Sequence, residues 1–172
     1  MSSVVSRVSK FSRSKRAEAL AEVLEQGAAA LAWFAGGLSA PEWRARGEKD
    51  RRPVGVIVHH VATMYPLEIL LARSLARGEA VTGVTWDDVH AMNAAHAKEF
   101  GAVTKEETLE LLEKNSAAAA AAIRALSDEE LSTYAPISMY SDAPLTCQFM
   151  LEDHAVRHSW HHLASIRKLL KR

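Results

Sequence analysis

The spacing of apolar residues along the chain predicts an all-α protein. Leucine, alanine, valine and isoleucine recur every three to four residues over four long stretches, while the alternation typical of a half-buried strand is nearly absent. Shorter helices are expected to begin near Thr85 and Ser127, whose side chains can cap a helix N-terminus. Four long helices with short inserted helices predict a four-helix bundle with at least one longer connection. The long helices are expected at about residues 14–38, 53–77, 104–126 and 145–170.

Two prolines affect the start and the course of the predicted second long helix. Pro53 suits a first helical position, where its missing N–H has no intrahelical partner to lose. Pro66 lies inside the same helix and predicts a bend just upstream, because it removes one hydrogen bond and crowds the preceding turn. Of the connections, the polar residues 39–53 can hold one short turn, and residues 134–144 are expected to form a loop.

Composition narrows the possible classes of function. A chain of 172 residues is long enough for a single domain with a sizeable core. Its 21 basic and 21 acidic residues balance, so the basic excess of a nucleic-acid-binding protein is missing. Charges interrupt every apolar stretch before about 18 residues, so we expect no membrane span. The single cysteine, Cys147, excludes a disulfide framework and suits a cytoplasmic location.

The first 16 residues differ from the rest of the chain. They are rich in serine, arginine and lysine and contain no acidic residue. Organellar transit peptides have this composition, and so does a frayed basic tail that leads into a first helix. We expect a flexible tail over residues 1–13.

Four of the eight histidines fall within nine residues of the last predicted helix. His154, His158 and His162 are spaced by four, so they stack in one column on a helix. A helical wheel places His158 and His162 inside the apolar stripe and His154 at its margin, where it can offer a fourth nitrogen or a hydrogen bond. His161 lies on the side of Arg157 and is expected to be exposed.

The second long helix contributes a third inward histidine. His60 lies on the flank of the buried stripe, whereas His59 points roughly the opposite way on the wheel. Inward histidines are often core residues with hydrogen-bond partners on both nitrogens. Three such rings rarely find hydrogen-bond partners for all their nitrogens, and each buried nitrogen left without one costs about 1–3 kcal/mol of stability. A divalent metal ion accepts a lone pair from each ring, so the pattern indicates a metal site.

Two segments resemble motifs of the DinB/YfiT-like superfamily of metalloenzymes, which includes mycothiol-dependent maleylpyruvate isomerases. They are VIVHHVATMYPLE on the second long helix and EDHAVRHSWHHLASIRKLL on the last. The resemblance implies a four-helix bundle that holds one divalent ion, zinc or nickel, with three histidines. Carried over by position, the ligands are His60, His158 and His162. The doubled His59-His60 leaves the first ligand open by one position, and the wheel favours His60.

Three neutral histidine ligands leave an open coordination position, which suits catalysis. The expected function is therefore that of a hydrolase that activates water, or of an S-transferase that activates a small thiol such as mycothiol or bacillithiol, on a small-molecule substrate. The alternative is a stress-related bundle that binds metal without catalysis. That alternative predicts a site closed by four protein ligands.

Three further polar residues are candidates for the pocket. Glu68 falls in the buried stripe two turns past His60, where it can accept an N–H from a ligand histidine or act as a catalytic base; a bend after Pro66 would instead leave it in water. Asn93 and His96 lie on the apolar side of the short helix and are expected to line the pocket mouth and contact a cofactor. Such residues also commonly cap helices or bridge loops.

The last helix carries a second apolar stripe, opposite the histidines. A helix that is apolar on two sides is either central in its domain or covered by another chain. We expect a homodimer interface here with Trp160 as its anchor. Cover by the N-terminal tail or by the short helix near Trp86 is the competing interpretation. The stripe comprises Phe149, Val156, Trp160 and Leu163.

Overall fold

A computed structural model of the chain describes residues 14–47 and 51–172, so the predicted tail at residues 1–13 lies outside the described residues. The described part is mainly helical, and the four long helices and both predicted short helices are present. The elements are α1 (Lys15–Gly36), α2 (Ala40–Arg44), α3 (Val54–Ala76), α4 (Trp86–Glu99), α5 (Lys105–Arg124), α6 (Asp128–Ser132), β1 (Tyr134–Ile137), β2 (Ala143–Thr146), α7 (Cys147–Met150) and α8 (Arg157–Leu170).

Side-chain caps fix the starts of the helices close to the predicted positions. Ser14 accepts a hydrogen bond from the backbone N–H of Ala17, and Thr104 accepts one from Glu107. Thr85 and Ser127 each take part in a reciprocal capping box with the acidic residue three positions later. These bonds satisfy backbone donors that the first turn of a helix leaves without partners.

The last long helix is continuous from α7 to α8 but changes its winding in between. Residues Leu151–Val156 form a π-helical turn that joins the two elements. A π turn accommodates an extra residue, so side chains on either side of it are rotated relative to an ideal helical wheel. This rotation affects where His154 lies relative to His158.

The four long helices form the predicted bundle. α1 and α3 each pack along α5, and both also contact the last helix. α3 is the most deeply placed: every residue from Val54 to Ala62 is buried. α3 is long and apolar enough to cross a membrane, but 67% of its most apolar stretch is buried inside the protein, as expected for a core helix.

Pro66 lies inside α3 without ending it. Proline has no N–H to donate to the carbonyl four residues earlier, which is that of Ala62. Asn115 of α5 supplies the missing donor: its Nδ2 donates to the Ala62 carbonyl over 2.8 Å. A neighbouring helix thus satisfies the buried acceptor that proline leaves open.

The prediction of a loop at residues 134–144 is wrong. This segment holds β1 and β2, which pair antiparallel, with Tyr134 opposite Thr146 and Ile137 opposite Ala143. Its four-residue strands are too short for period-two alternation to stand out, and prolines in both obscure it further. The hairpin is fastened to the segment before α4, because Val81 exchanges backbone hydrogen bonds with Pro136 and Ser138.

The second apolar stripe of the last helix is mostly covered within the chain. Val156 and Leu163 are buried, at 8% and 3% exposure, and the last helix packs against α1. Trp160 lies over Gly27, where a Cβ would be only 2.7 Å from the indole Nε1, and it donates to the Val23 carbonyl over 3.2 Å. Cover by α1 makes the last helix central in its domain on this side, which is the first of the two arrangements expected for a helix that is apolar on two sides. Trp160 keeps 40% exposure, so an interface that uses its outer edge stays a prediction.

Candidate metal centre

The structure brings together the three histidines predicted as metal ligands. His60 comes from α3, and His158 and His162 come from successive turns of α8. The Nε2 atoms of His60 and His158 are 3.3 Å apart. One ring nitrogen from each histidine lies within 4.8 Å of the other two. Among the described residues this is the one group of three or more potential ligands with such spacing.

The separation of two of these nitrogens fits a tetrahedral divalent ion. With metal–nitrogen bonds of about 2.0–2.1 Å, two ligand nitrogens of a tetrahedral site lie about 3.3–3.4 Å apart. The observed 3.3 Å between His60 and His158 matches this separation. Burial, together with the nearby His158 and His60, lowers the pKa of His162 to about 2, so its ring is neutral and keeps a lone pair for a ligand bond.

Glu68 lies where it can orient His158. Its carboxylate Oε1 is 2.7 Å from Nδ1 of His158, and the two side chains are only 5% and 12% exposed. A carboxylate beside one imidazole nitrogen fixes the ring and directs the other nitrogen toward the metal. Of the three sequence interpretations, the structure favours orientation of a ligand histidine, and the bend at Pro66 does not leave Glu68 in water.

His59 is neither one of the three potential ligands nor part of the cavity lining, in line with its predicted direction, but its burial against α4 was not expected. Its ring is buried, its Nδ1 lies 2.9 Å from Nε2 of His96, and it packs against Phe100. α4 covers this side of α3, which a wheel of α3 alone cannot show. Burial, followed by the neighbouring His59, lowers the pKa of His96 to about 4, so the pair is neutral near pH 7.

A cavity of about 360 Å³ opens beside the three histidines. Its walls are mainly apolar, with polar groups at the edge nearest α8. Asn93 lines it as predicted, but His96 does not: the His96 ring lies behind His60, with 5.6 Å between ring centroids. The apolar wall consists of Met64, Leu67, Leu71, Val84, Trp86, Val89, Met92 and Met139.

Two elements cover this cavity. α4, the short helix expected at the pocket mouth, contains no buried residue and lies over the opening, with Trp86 and Met92 partly exposed. The hairpin supplies Met139. No pattern in residues 134–144 predicts this, since the contact depends on how the hairpin docks onto the segment before α4.

His154 also lines the cavity but lies outside the group of three ligands. It therefore does not provide a fourth metal-binding nitrogen. Of the two predicted roles, the hydrogen bond is the one found, because His154 Nε2 is 3.1 Å from the hydroxyl of Tyr140. The exposed position predicted for His161 agrees with the structure, although its ring reaches the cavity edge.

Comparison with known proteins now identifies the family. Residues 23–166 match the family model of the DinB superfamily. The chain belongs to the DinB superfamily. A search of curated proteins found no significant match to this DinB protein.

A solved structure has the same fold as this DinB protein. It is YfiT from Bacillus subtilis, described as "a probable metal-dependent hydrolase with an unusual four-helix bundle topology". The two share 20% sequence identity with a TM-score of 0.72, and the match covers 95% of this chain and 91% of YfiT. The predicted fold, a four-helix bundle of DinB type, is confirmed.

Proposed function

We propose that this DinB protein is a metal-dependent hydrolase of a small molecule. The observation that carries the proposal is the position of the three histidines: they converge on one point at the wall of a cavity. A closed structural metal site would have four protein ligands and no adjacent space. The description of YfiT as a probable metal-dependent hydrolase supports the same activity here.

The residues that would hold the ion are His60, His158 and His162. A zinc or nickel ion bound there would act as a Lewis acid that makes water more acidic and polarises a substrate bond. Glu68 keeps the His158 ring in one orientation, so that its Nε2 stays directed at the ion. The three rings are held by two packed helices, and the ligand geometry is therefore formed before substrate binds.

The cavity determines which molecules can approach the centre. Its apolar wall would bind the hydrocarbon part of a substrate and exclude bulk water. Polar side chains are concentrated along α8, where Arg157 and His161 line the same cavity. The Arg157 side chain is 60% exposed, so it can meet a polar or anionic group of the substrate at the opening.

An S-transferase is the second candidate for the same centre. A small thiol such as mycothiol or bacillithiol would bind as a thiolate and attack an electrophile in the cavity. The cavity of about 360 Å³ extends well beyond the ligand histidines, so it leaves room for a co-substrate. The non-catalytic, stress-related alternative would not require this space. The cytoplasmic location and the homodimer stay predictions.

Elemental analysis of tag-free protein tests the metal site. Wild type is expected to carry about one equivalent of a divalent metal per chain, and His158→Ala and His162→Ala are expected to lose it. His161→Ala is the matched control, because His161 neighbours His162 but is not among the three ligands. Equal metal content in wild type and both ligand variants would overturn the assignment.

Hydrolysis of 4-nitrophenyl acetate by the zinc-loaded protein tests the activity. Wild type is expected to hydrolyse this ester faster than either ligand variant at equal protein concentration. A thiol-dependent transferase would instead consume an electrophile such as 1-chloro-2,4-dinitrobenzene only when thiol is added. A protein that binds one metal ion but accelerates neither reaction would support the non-catalytic alternative.

A further inference from the structure

A hydrogen-bonded group of three side chains reaches the cavity beside the metal centre, where two of them, Asp153 and His154, line the wall. The Tyr140 hydroxyl donates to Oδ2 of Asp153 over 2.5 Å, and the same hydroxyl is 3.1 Å from Nε2 of His154. Tyr140 comes from the segment between β1 and β2, while Asp153 and His154 come from the π-helical turn. The hairpin and the last helix, through residues 13 apart in sequence, thus meet at this point.

The protons of this group determine the tautomer of His154. An ionised carboxylate can only accept, and Asp153 is also 3.4 Å from the Arg157 guanidinium, which donates. The one hydroxyl proton of Tyr140 therefore points to Asp153, so the Tyr140 oxygen must accept from His154. A neutral histidine that donates from Nε2 has its proton there and a lone pair on Nδ1.

The side chain of His154 lies where it can reach a molecule in the cavity. The ring lines the cavity that the metal ligands also line, but it is not one of the three ligands. Burial lowers its pKa, which keeps the ring neutral. Its place in a π-helical turn is notable, because such turns occur frequently at functional sites.

We propose that His154 is the general base of this protein, with Tyr140 and Asp153 as positioning residues. The proposal rests on the hydrolase function proposed above. Nδ1 of His154 takes a proton from a water molecule while the water oxygen forms a bond to the electrophilic atom of the substrate. The bond from that atom to the leaving group then breaks, and His154 returns the proton to the leaving group.

The tautomer can be measured without any substrate. Long-range ¹H–¹⁵N correlation spectra of ¹⁵N-histidine-labelled, zinc-loaded protein distinguish a protonated from an unprotonated ring nitrogen, and His154→Gln assigns the resonances. We expect Nε2 of His154 to carry the proton. Tyr140→Phe removes the acceptor and is expected to yield a mixture of tautomers. Protonation of Nδ1 in wild type would overturn the proposal.

Activity tests the role itself. His154→Gln is expected to keep its zinc and to lose about 10²- to 10⁴-fold in kcat for 4-nitrophenyl acetate, the range typical of a lost general base. His90→Gln is the matched control, since His90 is an exposed residue of α4 away from the cavity lining. A His154→Gln variant that holds zinc and stays within about twofold of wild type would overturn the proposal.

The outcomes separate this proposal from the hydrolase itself. If wild type is no faster than His158→Ala, the hydrolase function fails, and the role of His154 in it fails too. If wild type is faster than His158→Ala but equal to His154→Gln, the hydrolase stands and only the general base is wrong.

Discussion

The contact between Glu68 and His158 leads to a quantitative prediction about metal affinity. We expect Glu68→Gln to weaken zinc binding about 10- to 100-fold, the usual effect of losing a partner that orients a ligand histidine. This corresponds to about 1.4–2.7 kcal/mol of binding free energy. The change keeps the size of the side chain and one acceptor oxygen, removes the negative charge and replaces the second oxygen with an NH₂ group.

The short distance and the burial of the pair support an effect of this size. The two atoms are 2.7 Å apart, and exposures of 5% and 12% leave little solvent to screen the charge. A carboxylate that accepts a hydrogen bond from Nδ1 makes the lone pair on Nε2 a stronger ligand for the ion. An amide in its place accepts more weakly and can present its NH₂ group instead, which would turn the ring.

Competition titration with a chromophoric zinc chelator measures the affinity directly. Glu152→Gln is the matched control, because Glu152 is an exposed carboxylate that accepts a hydrogen bond from Gln148 and is not part of the cavity lining. Circular dichroism of the zinc-free proteins checks that the bundle is intact. Zinc affinity of Glu68→Gln within about twofold of wild type would refute the orienting role.

Three further predictions concern stability and association. In urea unfolding, Asn115→Ala should lower the free energy of unfolding of the wild-type protein by about 1–3 kcal/mol. The loss should be much smaller in a Pro66→Ala background, because residue 66 regains an N–H for the Ala62 carbonyl. Equal losses in the two backgrounds would contradict this account. Cys147 is fully buried, and burial raises its pKa to about 11. A thiol reagent at pH 8 should therefore modify Cys147 only after the protein unfolds. Rapid labelling of the native protein would count against this prediction. If the outer edge of Trp160 forms a homodimer interface, Trp160→Glu should halve the mass found by light scattering, and a mass unchanged from a wild-type dimer excludes that surface.

Helical periodicity was sufficient to predict most of the fold and the pair of histidines on the last helix. His158 and His162 are four apart within one apolar stripe, and this relation depends only on helix geometry. His60 required the expectation that the second and last helices face each other, which the bundle satisfies. The caps at Ser14, Thr85, Thr104 and Ser127 are local in sequence and were therefore also predictable.

The features that could not be predicted depend on contacts between elements. His59 is buried because α4 packs over it, and a wheel of one helix does not include its neighbours. His154 lies within a π-helical turn, where a wheel with a uniform 100° step does not apply. The covered stripe at Val156 and Leu163 required knowledge of how closely α1 approaches, which the small residue Gly27 permits.

α4 closes the cavity without contributing a single buried residue to the bundle. The free energy of unfolding therefore depends little on the exposed side chains of α4. Met92, which lines the cavity and is 37% exposed, can be exchanged for a larger, smaller or charged residue while the histidine-bearing helices stay in place. Selectivity for different molecules can accordingly diverge between homologous proteins through this one helix, with the reactive centre left unchanged.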